Sequence, residues 1–385
     1  MNDILESFRK ELHQYPELSG REKETALRVK SFITKIHPPD EWIEGIGGHG
    51  IIAIYSFSED GPVVMIRSEL DALPIDETNR FTYQSKNVGV SHKCGHDGHM
   101  TMVAGLVFSI KKTTYTNGKI ALLFQPSEEN GKGALRVCED QRFKNLKPDY
   151  IFALHNIPGL PLHSISIVRS FFSATVQSFS IHLQGRESHA AEPDKGVNPA
   201  LSVSKFISGL DLLNVTDPMS KVYTVLTPIH ILLGSKDYGI SPGNAKIHYT
   251  IRTWSVAHMN ELKSKIESLI KDLCAKGSLS FDLNWFEYFP SAENDDELND
   301  IIEEVAHFNN YNTQFEKHPF KFGEDFGWYS LGRRVAMFGL GAGEKTPALH
   351  HADYDFPDEL LKTGIQMFNG IIETVLNKEC LVSKE

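Results

Sequence analysis

Short apolar runs, each bounded by glycine, proline or charge, recur through the first 170 residues. GIIAIYSF (50–57), PVVMIRSEL (62–70), KIALLFQPS (119–127) and DYIFALHN (149–156) are too short for buried helices and rich in β-branched and aromatic residues, so they predict strands. The first two should be joined by a polar turn at Ser58-Glu59-Asp60-Gly61. Between the strands lie helical patterns. Ser19-Gly20-Arg21-Glu22 has capping-box spacing and predicts a helix running to about Ile36, GHMTMVAGLVFSIKK predicts a buried helix over 98–112, and GKGALRVCED a short one. Strands alternating with helices imply a largely parallel sheet covered on both faces.

Near residue 173 the pattern changes. VQSFSIHLQGRESH alternates apolar and polar positions, as a strand with one wet face does. Asn198-Pro199 offers a cap for ALSVSKFISGLDLL. Two further strands follow (KVYTVLTPIHILLG and NAKIHYTIRTWS), then an amphipathic helix, MNELKSKIESLIKDLCAKG. The order strand, helix, strand, strand, helix, strand predicts an α+β module with an antiparallel sheet over 173–286. After it the α/β texture returns, and RRVAMFGLG reads as another buried strand. The expectation is therefore an α/β catalytic domain made of 1–172 and 287–385, interrupted by an inserted domain.

A chain of 385 residues exceeds the size at which one core stops growing, which agrees with two domains. A formal net charge of −11 argues against nucleic acid as a partner. The N-terminal MNDILESFRKELHQ has no apolar core of a signal peptide, and no apolar run approaches the ~20 residues of a membrane helix. Four widely spaced cysteines form no disulfide framework, so a cytoplasmic protein is expected. Cys138, Cys274 and Cys380 read as structural.

The chemistry gathers at the predicted strand ends. PVVMIRSEL leads to Asp71, KIALLFQPS to Glu128-Glu129, DYIFALH to His155, and RRVAMFGLG toward His350-His351. Ligands of open α/β sheets bind beyond the carboxyl ends of the strands. SHKCGHDGH (91–99) adds Cys94 and His96 immediately before a helix, with His92, Asp97 and His99 around them. Thiolate, imidazole and carboxylate together suit borderline-soft divalent ions. Five ligands, Cys94, His96, Glu129, His155 and His350, are too many for one open tetrahedral site and suit two ions, with zinc, manganese, cobalt and nickel all tolerated. Such a pair lowers the pKa of bound water and polarises a carbonyl, and Glu128 is the carboxylate placed to take the water's proton. Asp71 and Asp97 are candidates to orient the ligands; Asp97 could equally cap the helix.

The bland alternatives are a small buried cysteine, a capping histidine and a solvated Glu128-Glu129 loop. A cysteine nucleophile at Cys94 would need His96, two residues away, to fold back on it, and would leave Glu129, His155 and His350 without a task. A catalytically silent metal- or ligand-binding protein would have no use for Glu128.

Taken together, LHQYPELSGRE, RSELDALP, HKCGHDGHMTM, QPSEENGKGA, ALHNIPGLP, GRESHAAEPDKGVNPA, YTIRTW and LHHADYDFPDE resemble the metal-dependent aminoacylase/carboxypeptidase amidohydrolases, which include hippurate hydrolases, N-acetyl-diaminopimelate deacetylases and auxin-conjugate hydrolases. The resemblance runs the length of the chain. It implies a di-metal exopeptidase-like domain that hydrolyses the amide of N-acyl amino acids or small peptide conjugates. The five residues above would be its ligands and Glu128 its general base. By the same resemblance the inserted domain is a lid, a likeness that extends to homodimerisation through it. His189 would polarise the scissile carbonyl, and Asn244 and Arg252 would contact the substrate carboxylate. One departure stands out: Arg67-Ser68-Glu69-Leu70-Asp71 replaces the family's R-A-D-M-D, placing glutamate at 69.

Overall fold

The computed structural model describes residues 2–58 and 60–382; Glu59 of the predicted polar turn and the Cys380 side chain lie outside the described residues. The chain divides into two compact units, one of Met1–Phe172, Ala292–Lys317 and Glu324–Glu385, the other of Ser173–Ser291 and His318–Gly323.

The first unit is built on an eight-stranded mixed sheet. Its strands lie in the order Glu41–Ile46, Gly50–Ser56, Lys119–Gln125, Val63–Glu69, Tyr150–Ile157, Arg334–Gly341, Ile165–Ile167, Thr313–Phe315. The four from Lys119 to Gly341 in that order run parallel. The two strands expected to be joined at Ser58–Gly61 are not neighbours. Lys119–Gln125 separates them, antiparallel to Gly50–Ser56 and parallel to Val63–Glu69. Its KIALLFQ run is buried from Ile120 onward on both faces, so it takes an interior position that a strand with one polar face could not.

The helix expected over 98–112 begins two residues earlier, at His96, and breaks after Gly105 before a short turn of helix at Val107–Ile110. All ten residues of His96–Gly105 are buried: its glycines lie against Leu5, Phe356 and Ile365, and its polar side chains are hydrogen-bonded inside, His96 to the Asp71 carbonyl, Asp97 to His13 and His99 to Glu69. The capping box at Ser19–Glu22 does not form. The helix starts at Lys23, because Ser19 gives its hydroxyl to Asp71 at 2.6 Å and Glu22 accepts the backbone N–H groups of Gly20 and Ser127. Two residues that look like a local cap are spent on tertiary contacts.

The second unit is a four-stranded antiparallel sheet in the order Ser280–Phe289, Thr175–Gln184, Asn244–Thr253, Thr224–Leu233. Helices Ala200–Asp211 and Val256–Gly277 pack on the face that carries Phe179, Ile181, Ile247 and Ile251. The last strand continues to Phe289, past the boundary drawn at 286, and residues 318–323 join this unit because Ala174 donates its N–H to the carbonyls of Phe320 and Phe322.

Candidate metal centre

Gly95 holds a left-handed φ of +93° between Cys94 and His96, and a Cβ there would lie 2.5 Å from the Asn156 side chain. Glycine is the residue that lets this turn pass so close while aiming the thiol and the imidazole at one point. His96 donates Nδ1–H to the backbone carbonyl of Asp71 at 2.8 Å, which leaves Nε2 as the bare acceptor; that atom is buried and has no hydrogen-bond partner. His155 does the same with the Asn156 carbonyl at 2.9 Å, and its Nε2 lies 3.4 Å from Cys94 Sγ. His155 sits inside the strand Tyr150–Ile157, not at its end as expected.

Glu128 and Glu129 follow the strand Lys119–Gln125, after Ser127 turns the chain with φ +56°. The Asp71 carboxylate accepts both of their backbone N–H groups, at 3.1 and 3.0 Å. Glu128 Oε2 and Glu129 Oε1 each lie 3.9 Å from His96 Nε2, and Glu129 Oε1 is buried without a partner. His350, rather than His351, arrives at the cluster, with φ +66° and its N–H bonded to the Lys93 carbonyl; its Nε2 is 3.8 Å from Glu129 Oε2. The donor atoms fall into groups within 4.8 Å: Cys94 with His96 and His155, Cys94 with Glu129 and His350, and His96 with Glu128 and Glu129. The five expected ligands and Glu128 thus meet in the first unit.

The electrostatics point the same way. Burial, with Glu324 and Glu129 beside it, holds the Glu128 carboxyl well above its ordinary range. Burial and Asp71 do the same to Glu129. Burial lifts the Cys94 thiol, with Glu129 and Glu128 adding to it, and lowers His155 to about 3. Desolvated carboxylates facing the unpaired Nε2 of His96 and a thiol are costly in a bare chain. A divalent cation among them relieves the repulsion and occupies the free lone pairs, and the S, N and O donor set suits borderline-soft ions. The residues present therefore fit a metal site.

Three further side chains, Arg67, Glu324 and Asp325, build the site together with Glu69. Arg67, buried, is paired to Glu69, to Glu324 at 2.9 Å and to Asp325 at 2.8 Å. Asp325 also accepts the Ala134 N–H and the Gln125 amide, and donates its own N–H to Glu128 Oε1 at 3.4 Å. The acidic pair in KFGEDFGWYS was the available signal, but an acidic pair in a polar loop is ordinarily a surface feature. Asp97 departs from the expectation that it orients a ligand. Its carboxylate turns to His13 at 2.7 Å and Arg9 at 3.4 Å, because Asp71 already holds His96. His92 is buried with neither ring nitrogen bonded and is held down to about 3 by burial.

The remaining expected site residues belong to the second unit. His189 is exposed on the two-residue strand Ser188–His189, its Nδ1 accepting the Ala191 N–H at 3.0 Å. Asn244 and Arg252 lie on one strand, Asn244–Thr253. Eight residues of strand span about 27 Å, so a small carboxylate cannot meet both within one chain. Arg252 is half-buried, and its guanidinium donates to the Lys321 carbonyl at 2.7 Å.

Peptidase family M20/M25/M40 matches residues 65–374, a span that holds every residue of the metal cluster. The chain belongs to this family. Among M20/M25/M40 relatives, the N-acetyl-L-cysteine deacetylase of Bacillus subtilis is 30% identical over 330 residues, covering 84% of this chain and 77% of its own. The hippurate hydrolase of Campylobacter jejuni is 28% identical, covering 93% of this chain and 92% of its own. The YXEP protein of Bacillus subtilis, described as a dinuclear metal-binding peptidase of the M20 family, superposes with a TM-score of 0.84 at 26% identity over 98% of both chains.

Proposed function

We propose that this M20/M25/M40 member is an amidohydrolase that cleaves the amide of N-acyl amino acids or small peptide conjugates with two divalent metal ions. The observation that carries it is the convergence of Cys94, His96, Glu129, His155 and His350, with the Nε2 of His96 and Oε1 of Glu129 buried and unbonded. Those five residues would hold the ions, which when bound supply Lewis acidity toward a water and the scissile carbonyl. Glu128 takes the water's proton and returns it to the leaving amine. Its position supports that role: one oxygen is anchored by the Asp325 N–H while the other faces His96 Nε2. The Asp71 carboxylate fixes the backbone of both glutamates, so base and ligand keep their spacing. His189 is retained as a group that polarises the carbonyl, on the strength of the GRESHAAEP segment alone.

A cysteine nucleophile fits less well. Such a thiol needs a lowered pKa, whereas burial and two flanking carboxylates hold Cys94 high. A silent binding protein has no reason to bury Glu128 beside the cluster. The N-acetyl-L-cysteine deacetylase and the hippurate hydrolase act on N-acylated amino acids, which supports the same substrate class. No helix among the described residues is long and apolar enough to cross a membrane, and Cys94, Cys138 and Cys274 are free thiols; a reducing cytoplasm suits both.

Glu128→Gln tests the assignment. The variant should keep wild-type metal content by elemental analysis and lose ~10²–10⁴-fold in kcat on N-acetyl and N-benzoyl amino acids, the usual worth of a general base. Wild-type turnover in this variant would remove Glu128 from the chemistry.

A further inference from the structure

The glutamate at position 69 is fully buried, and each of its carboxylate oxygens is committed to a different element. Oε1 takes Arg67, two residues earlier on the same face of the same strand. Oε2 accepts Nδ1–H of His99 at 2.8 Å, across from the helix His96–Gly105. From Arg67 the contacts continue to Glu324 and Asp325, whose N–H reaches Glu128. From His99 they continue through the Asn156 side-chain amide, 2.6 Å from Nε2, to the residue whose carbonyl orients His155. Tyr354 closes this second arm, its hydroxyl taking the Asn156 amide at 2.6 Å.

Resting on the function proposed above, we infer that Glu69 is a positioning residue: one carboxylate ties the segment that presents the base to the segment that presents a ligand imidazole. The length of glutamate matters. Removing one methylene draws the carboxylate back by about 1.5 Å toward its strand, so it can follow Arg67 or His99 but not both. Outer groups of this kind set the orientation of the ligands they touch, and their loss typically weakens metal binding by ~10–100-fold.

The test compares wild type, Glu69→Asp, Glu69→Gln, His99→Gln and the Glu69→Gln/His99→Gln double variant, with folding checked by circular dichroism. Zn²⁺ affinity is read by competition with a chromophoric chelator, and kcat and KM on an N-acetyl amino acid are read separately. Both Glu69 variants should bind Zn²⁺ ~10–100-fold more weakly and lose kcat with KM changed by less than about twofold. The double variant should add little to Glu69→Gln in Zn²⁺ affinity, since both changes cut one path. Wild-type Zn²⁺ affinity in Glu69→Gln, or effects that add in full, would overturn the inference. If the Glu69 variants do not fold, His99→Gln decides alone, and wild-type Zn²⁺ affinity in that variant overturns it equally. Failure of the wild-type chain to bind Zn²⁺ or Mn²⁺ at all would instead remove the proposed function, and the inference with it.

Discussion

The backbone carbonyl of Asp71 accepts Nδ1–H of His96 at 2.8 Å, while the carboxylate of the same residue holds the backbone of Glu128 and Glu129. One residue therefore sets the tautomer of an imidazole and the position of the two acids that face it. The Asn156 carbonyl does the equivalent for His155. His96 presents an unbonded Nε2 and His155 turns its Nε2 toward Cys94 Sγ, so the donor atoms already face one another before any ion arrives and little reorganisation opposes binding.

Replacing Asp71 by alanine should uncouple this arrangement. Two backbone N–H groups and the Ser19 hydroxyl lose their acceptor; leaving the buried Glu128 N–H unpaired costs about 1–3 kcal/mol, and the part-buried Glu129 N–H and Ser19 hydroxyl cost less. A loss of about 2–5 kcal/mol in urea unfolding is expected, with weaker Zn²⁺ binding even under conditions where the variant is fully folded. Unchanged stability and affinity would show that water replaces the carboxylate without penalty.

Metal removal should separate the hydrolytic assignment from a cysteine nucleophile. Chelation is expected to abolish activity and lower Tm, and readdition of a divalent ion to restore both. Ions present at ~100 times Kd stabilise the folded chain by about 2.7 kcal/mol. Cys94 is 7% exposed and, with the ions bound, its sulfur would be held as a ligand, so iodoacetamide at neutral pH should leave it unlabelled in that state. Chelator-resistant turnover together with alkylation at Cys94 would reverse the assignment.

The candidate ligands were legible because each lies in a short segment at or near the end of an apolar run, where sheet topology alone brings strand termini together. Cys94 and His96 share one such segment, and Glu128 and Glu129 another. Arg67 and Asp325 were not legible, because their pairing joins positions far apart in the chain and depends on which strands are neighbours. The same dependence displaced the Ser19–Glu22 cap, whose side chains serve Asp71 and Ser127. It also placed Lys119–Gln125 between two strands that adjacency in sequence would pair. Local pattern located elements well; the partners of polar side chains were decided by tertiary contact.

The helix Asn2–Gln14 carries a pH-dependent contact to Asp97, the residue after His96. His13 is buried, bonded to Asp97 at 2.7 Å and to Glu77 at 2.9 Å. Burial pulls its pKa down, but those two hydrogen bonds outweigh it and lift it to about 9. A folded-state pKa above the unfolded value of ~6.5 means the added stability is complete below that value and drains away as pH rises toward about 9. The full shift corresponds to about 3 kcal/mol. Urea unfolding from pH 6 to 9.5 should show wild type losing stability across this window and His13→Gln losing much less. Parallel curves would exclude His13 as the source.

The strand Thr224–Leu233 ends the sheet of the second unit: it pairs along its length with Asn244–Thr253, and on its other side Thr224 is bridged by Val215. Its sequence, TVLTPIHILL, contains no charged residue, and everything from Thr227 to Leu233 is exposed, Ile229 at 62% and Leu232 at 49%. Natural edges are usually blunted by lysine, by brevity or by cover. This one is ten residues long; Val215 and Asn214 cover its start at Thr224 and Leu226, and within the exposed stretch from Thr227 to Leu233 Pro228 is the one residue without an N–H. The uncharged, exposed edge from Thr227 to Leu233 is suited to pairing with a second copy about a two-fold axis, which supports the homodimer that the family resemblance implies for this unit. Light scattering should give twice the chain mass at micromolar concentration. Ile229→Lys with Leu232→Lys puts like charges on both sides of such a junction and should return the protein to the mass of one chain, with the helix-packed core of Phe179, Ile181 and Ile247 untouched. A wild-type protein that is monomeric throughout that range would leave the edge without a partner and remove the dimer from the account.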